Sequence, residues 1–238
     1  MKILALDTAT ENCSAALLVD GNVRAHGVEM DRGHAERILP MVDALLAEGQ
    51  LSLSDLDAVA FGRGPGSFTG VRLAATVTQG LAFGAGLGVA PISDLQAVAQ
   101  RVFGEAIADP STARILVCND ARMSEVYWAC FERGKDGLAR MEGEEQVSKP
   151  SDVRLPRTWT TATAAGRGFS VYAAALRAAV PSVSPTSAAQ ALLPRATEIA
   201  LLAVPVVAAG RLLPPEAAIP TYLRDNVAHV PQAAKPPR

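Results

Sequence analysis

No run of lysine or arginine occurs anywhere in the 238 residues, and the formal charge is −2. A protein that grips nucleic acid by itself needs a clustered basic face to meet the phosphates, so such binding is expected only within a complex. Cysteine is scarce: Cys13, Cys118 and Cys130 are widely spaced and form no C-x-x-C pair. That excludes a disulfide framework and a dithiol motif, and it suits small buried side chains in a reducing compartment. Histidine is equally sparse. His26, His34 and His229 lie too far apart in sequence to outline a Ser-His-Asp or Cys-His arrangement. Long hydrophobic runs are missing too. Only Ile3-Leu4-Ala5-Leu6 precedes Asp7, too little for a signal-peptide core. The longest apolar run, Ile199 to Gly210, is broken by Pro205 and cannot span a bilayer. The expected location is the cytoplasm, with no membrane contact.

What is present reads as a globular α/β chain. Apolar residues make up 49% of it, enough to bury one large core or two small ones. Lys2 to Asp7 and Cys13 to Asp20 are apolar strand-like runs. Asp20-Gly21-Asn22 is a hairpin signal leading to a third strand, Val23 to Met30. The period then changes. Ile38, Leu39, Val42, Leu45 and Leu46 share a helical face over His34 to Glu48, with Pro40 marking a start or a kink and Gly49 a stop. Ala58 to Gly62 reads as a strand, Val71 to Gly84 as a helix of small residues, and Gly88 to Ile92 as a strand.

The second half repeats the pattern. Ile115 to Asp120 is again an apolar run ending in Asp, followed by a strand over Glu125 to Phe131 and a turn at Arg133-Gly134-Lys135. The same offset separates Asp7 from Asp120 and Gly21 from Gly134, which points to two copies of one unit. A strand over Trp159 to Ala165, a turn at Gly166-Arg167-Gly168 and a helix over Phe169 to Val180 continue the second copy. Antiparallel strands followed by alternating helices and strands predict a mixed sheet covered by helices. Two such units resemble tandem half-actin-like lobes, each of βββαβαβ type. The expected division is a first lobe over 1–108, a smaller lobe over 109–193 entered through the linker Asp109-Pro110-Ser111, a segment over 194–228 that returns to the first lobe, and a frayed tail over 229–238.

The main motif is Gly62-Arg63-Gly64-Pro65-Gly66-Ser67-Phe68-Thr69-Gly70. Glycines permit tight turns, and the loop runs into a helix N-terminus where free N–H groups can hold an anion. No Gly-Lys-Ser/Thr follows, so this is no P-loop. Read from the residues alone, the loop is either such an anion site or a structural turn in which Ser67 or Thr69 caps the helix.

The stretch Gly64 to Arg72 resembles the signature of the TsaB family. Leu6-Asp7-Thr8 with Ser14-Ala15-Ala16, His34 to Pro40, Asp120-Ala121-Arg122 with Glu125-Val126-Tyr127, and Pro220 to Arg224 resemble its other landmarks, over residues 3 to about 228. That resemblance implies a non-catalytic subunit that pairs with its catalytic relative TsaD. With the ATPase TsaE, the pair transfers a threonylcarbamoyl group from threonylcarbamoyl-adenylate to the adenosine beside the tRNA anticodon. It implies a homodimer when the chain is alone, tRNA contact only through the complex, and ATP or ADP only with TsaD and TsaE. The implied partner surface lies on the first two helices. Its candidates are His34, Leu39, Met41, Ser67, Phe68, Thr69, Val71, Arg72, Thr76, Gly80 and Phe83.

The catalytic relative carries an H-x-x-x-H metal pair after the equivalent loop and helix. Here that stretch reads Ile92-Ser93-Asp94-Leu95-Gln96-Ala97-Val98, with no histidine. No catalytic or metal residue is therefore expected. Asp7, Thr8 and Asp120 are the expected remnant of a nucleotide cleft, because neither acid is followed by the glycine of a phosphate hairpin. Each Asp has a simpler role open to it, capping a turn through its carboxylate. Two competing functions are a stand-alone actin-like ATPase, kinase or metallopeptidase-like enzyme, and a free-standing tRNA-binding module.

Overall fold

The computed structural model describes residues 1–104, 113–185 and 189–224. The expected linker at 109–111 and the tail over 229–238 lie outside the described residues, as does the expected division between residues 108 and 109.

Strands β1 (Lys2–Asp7), β2 (Asn12–Val19), β3 (Asn22–Glu29), β4 (Ala58–Gly62) and β5 (Gly88–Ile92) form one sheet in the order β3-β2-β1-β4-β5. The first three pair antiparallel, while β4 and β5 run parallel to β1. Side chains alternate across β1, as the period of a strand demands. Leu4 and Leu6 face helices α1 (His34–Gly49) and α2 (Phe68–Ala85). Ile3 and Ala5 face α6 (Ala196–Ala208), whose Ile199, Ala200, Leu202 and Ala203 pack on the opposite side.

The second sheet contains β6 (Arg114–Asp120), β7 (Val126–Arg133), β8 (Ala139–Ser148), β9 (Ala162–Ala165) and β10 (Val183–Pro185), in the order β10-β9-β6-β7-β8. Reversed, this is the topology of the first sheet, so the shared offset marks equivalent strands. One element is reduced: a single 3-10 turn at Pro150–Asp152 stands where α1 stands in the first lobe. Helix α3 (Asp94–Gly104) packs Leu95, Val98 and Val102 on the inner face, and α4 (Gly168–Val171) and α5 (Ala173–Ala179) cover the outer one. Helices α3 and α6 therefore fill the space between the sheets.

Pro40 lies inside α1, so of the two alternatives it does not mark the start. Two local outcomes differ from the sequence reading. Gly49 is the last helical residue, and Gln50 takes the left-handed cap with φ 53. The glycine is required for another reason: a Cβ on Gly49 would stand 2.8 Å from Leu17 Cδ2. The helix expected over Phe169 to Val180 is two pieces, broken at Tyr172, where φ is −117.

Segment 211–224 runs as a strap. Val89 and Leu213 exchange backbone hydrogen bonds of 2.8 and 2.9 Å, which covers part of the open edge of β5. The strap then crosses to the glycine loop, where the Thr221 N–H donates to Arg63 O at 2.7 Å.

Candidate functional site

The glycine loop leaves β4 at Gly62 and enters α2 at Phe68. Its polar groups are largely occupied by the chain itself. The Ser67 N–H donates to Ala9 O at 2.7 Å, Asp94 N–H to Gly64 O at 3.0 Å, and Arg63 N–H to Ile92 O at 2.9 Å. Ser67 Oγ accepts from the Gly70 N–H at 3.2 Å, so Ser67 is the helix cap. Thr8 Oγ1 donates to Gly70 O at 2.7 Å. The loop is a clasp between β1 and α2. Its glycines are steric: a Cβ on Gly66 would lie 2.5 Å from Ala9 O.

Beneath the clasp lies a feature that the sequence reading did not single out. Asp7 and Asp94 are both fully buried, and their carboxyls meet under Gly62. Asp7 accepts from the Ala9 N–H at 2.8 Å, and Asp94 accepts from the Gly64 N–H. Among the described residues, one remaining oxygen on each carboxyl has no hydrogen-bond donor. A proton held between the two acids satisfies both. Burial pushes Asp7 up from 3.8 to about 6. Burial, then the neighbouring Asp7 charge, pushes Asp94 further up. The Asp7 carboxyl points beneath the clasp and, unlike Thr8, does not line the cleft between the lobes. The available signal was Ser93-Asp94, a polar pair directly after a buried strand.

Between the lobes lies a cleft of about 850 Å³. The first lobe contributes Thr8 to Glu11, Arg32 to Glu36 and the clasp, and the second contributes Asn119 to Met123, Arg167 and Val171. The strap closes one end with Tyr222 and Arg224. Thr8 and Asp120 both line this cleft. Asp120 accepts from the Arg122 N–H and from Tyr172 Oη, each at 2.9 Å. Charge pairs join the walls. Arg167 meets Glu29 at 2.7 Å and Glu11 at 3.5 Å, Arg122 lies 3.7 Å from Glu11, and Arg224 binds Glu125 and Ala121 O.

The outward face of α1 and α2 is chemically different. Leu39 is 45% exposed and Phe83 is 80% exposed. Thr69, Thr76 and Gly80 are exposed along the same helix as Phe83. Ser67 and Phe68 are also exposed, and the Arg72 guanidinium stacks 3.4 Å above the Phe68 ring centroid while Nε donates to Tyr222 Oη at 2.7 Å. Three predicted surface residues sit elsewhere. Val71 is only 2% exposed and packs within its own lobe. Met41 is half-buried against the first core. His34 is half-buried, with Nε2 2.9 Å from Thr10 O in the cleft wall.

The remaining reactive groups are quiet. Burial raises the thiols of Cys13 to about 11 and Cys130 to about 12, and Cys118 also shifts upward. Among the described residues, no group of three or more His, Cys, Asp or Glu side chains could hold a metal ion. Nor is any helix among them long and apolar enough to cross a membrane.

Known proteins match this chain closely. The family model described as "TsaD: tRNA N6-adenosine threonylcarbamoyltransferase" matches residues 27–232. The tRNA threonylcarbamoyladenosine biosynthesis protein TsaB of Escherichia coli is 41% identical, with 96% of each chain covered. The Haemophilus influenzae protein of the same name is 53% identical over 57% of this chain and 56% of its own. The solved structure of YeaZ from Pseudomonas aeruginosa superposes with a TM-score of 0.83 at 41% identity, covering 93% of this chain and 99% of that one. With two five-stranded mixed sheets arranged as actin-like lobes and this likeness over nearly its full length, the chain belongs to the TsaB family of tRNA threonylcarbamoyladenosine biosynthesis proteins.

Proposed function

We propose that this chain is the non-catalytic subunit that binds and activates TsaD for threonylcarbamoyl transfer to the adenosine beside the tRNA anticodon. One observation carries the reading: the exposed face of α2. Gly80 and Gly84 have open space where a Cβ would stand, and Phe83 between them is 80% exposed. Interior glycines weaken a helix by about 1 kcal/mol each relative to Ala. The lobe's own packing does not ask for them at these positions. An apolar ring flanked by smooth backbone suits close approach by another helix. In this reading Leu39, Thr69, Arg72, Thr76, Gly80 and Phe83 meet TsaD in the heterodimer and a second copy of the chain in a homodimer.

The interior supports a supporting role rather than a catalytic one. The loop that would cradle phosphate is clasped on its own backbone, and Asp7 is turned beneath it. TsaE and any ATP or ADP then act only through the assembled complex, tRNA is met there as well, and the site of action is the cytoplasm. Co-purification with TsaD and TsaE, followed by a tRNA modification assay omitting each component in turn, tests the proposal. A one-to-one complex with TsaD, and loss of modification without this chain, are expected. Full modification by TsaD and TsaE alone would overturn it.

A further inference from the structure

The turn between β6 and β7 holds its backbone in an unusual state. Arg122, Met123 and Ser124 all lie in the left-handed region, with φ of 60, 54 and 60. None is a glycine, and L side chains enter that region singly rather than in runs. Three in succession persist only where the surroundings fix them. Two restraints are local: the Arg122 N–H donates to Asp120 Oδ1 at 2.9 Å, and the Ala121 N–H donates to Glu125 O at 3.0 Å. A third comes from the other end of the chain. The Arg224 guanidinium donates to this turn three times: to Ala121 O at 3.2 Å, to the Glu125 carboxylate, and to Met123 Sδ at 3.5 Å.

Arg224 is carried by the strap, and just before it the strap is fixed to the first lobe. The Thr221 N–H donates to Arg63 O, and Tyr222 Oη accepts from Arg72 Nε, both at 2.7 Å. The Arg72 guanidinium lies 3.4 Å from the Phe68 ring centroid and 5.4 Å from that of Tyr222. This stack is exposed and stands on the outward face of α2. Thr221 to Arg224 therefore joins that face to the wall of the interlobe cleft, which Arg122 and Met123 line.

We propose that the strap end, Thr221 to Arg224, is a coupling element that passes occupancy of the α2 face to the turn at 121–125 and so to the cleft wall. The coupling rests on that face being the partner surface proposed above. A partner that fixes Arg72 and Tyr222 also fixes Arg224, and the turn is held in its left-handed state. When the stack loosens, Arg224 withdraws and the turn relaxes. The effect is reciprocal, so holding the turn also tightens partner binding.

The test is hydrogen exchange in the full chain at the Ala121 and Glu125 amides, both bonded within the turn. Arg224→Met should speed both by about threefold or more, because exchange reports local opening. Arg72→Met, on the first lobe, should speed them too. The double variant should exchange no faster than Arg224→Met alone, since both changes break one path. Unchanged exchange in Arg72→Met, or additive acceleration in the double variant, overturns the proposal. Tyr222→Phe, which keeps the ring and loses the Arg72 bond, repeats the comparison if Arg72→Met folds poorly. With saturating TsaD the two amides should slow by about threefold or more in wild type and not in Arg224→Met. Normal TsaD binding without that slowing also overturns the coupling. If TsaD does not bind at all, the partner reading fails, and the comparison on the isolated chain still decides whether α2 and the turn are linked.

Discussion

The carboxyls of Asp7 and Asp94 face each other under Gly62, fully buried, and burial holds both above the usual carboxylate range. Asp7 comes from the first strand and Asp94 from the start of α3, so the pair ties the sheet to the inter-lobe layer. Asp94 also accepts from the Gly64 N–H and so holds the clasp from below.

This pairing has a definite pH signature. Both acids are raised above their ordinary 3.8, Asp7 to about 6 and Asp94 further. The folded state therefore holds protons that the unfolded chain releases. Their stabilising contribution is complete below about pH 4 and is lost as pH rises through 6 and beyond. Asp94→Asn keeps an acceptor for Gly64 and supplies an N–H to Asp7 without titrating. Its melting temperature should exceed that of wild type above pH 7, with the gap closing toward pH 4.5. A gap constant across that range would remove the shared proton.

The clasp predicts opposite effects for two glycines. Gly66→Ala places a methyl 2.5 Å from Ala9 O, where backbone meets backbone. It should cost about 1–3 kcal/mol, the range for overpacking. Gly84→Ala meets nothing within 4 Å and should add up to about 1 kcal/mol through helix propensity. Urea unfolding of the two variants measures both. Equal effects would mean that the close approach at Gly66 relaxes without cost.

The strap's anchors include Leu213 on Val89, Thr221 on Arg63, Tyr222 on Arg72 and Arg224 on Glu125. The last pair is partly exposed, so Arg224→Ala should change global stability by less than about 1 kcal/mol. Its effect should be local. Hydrogen exchange at the Thr221 amide should accelerate, while that at the Leu4 amide in the sheet stays slow. Unchanged exchange at Thr221 would show that the strap holds without its terminal ion pair.

Much of this was legible in the residues. The short apolar run of β1, the hairpin at Asp20-Gly21 and the helical face of Ile38, Val42, Leu45 and Leu46 each state their element, because a bounded apolar run, a turn dipeptide and a 3.6-residue period belong to a buried strand, a hairpin and a helix. Strand β8 was not read. Its sequence, Ala139 to Ser148, is an edge strand with Glu142, Glu144 and Glu145 and little burial, so no apolar period announces it. Gly143 breaks it further, with φ 83 beside the bulge opposite Trp128 and Cys130. Among site residues, Asp7 and Asp120 were found because they end apolar runs. Asp94 was not singled out, because its weight comes from what surrounds it in space, a second buried carboxyl.

The outward face of α2 allows a separation that most interface variants do not. Gly80 sits mid-helix with open space around it, so Gly80→Ala should stabilise the isolated chain by up to about 1 kcal/mol. If a neighbouring helix comes close over that glycine, the same methyl holds the two backbones apart. Association should then weaken at least tenfold while the melting temperature of the monomer rises. Phe83→Asp attacks the same face differently, removing an 80% exposed ring that the lobe does not use and adding a charge that must be desolvated on binding. It should abolish both self-association and TsaD binding with little change in monomer stability. Light scattering across a concentration series reads the homodimer, and co-elution with TsaD reads the heterodimer. If both variants associate as wild type does, α2 is not the contact. If only the homodimer is lost, the two assemblies use different faces, and TsaD must be sought elsewhere on the first lobe.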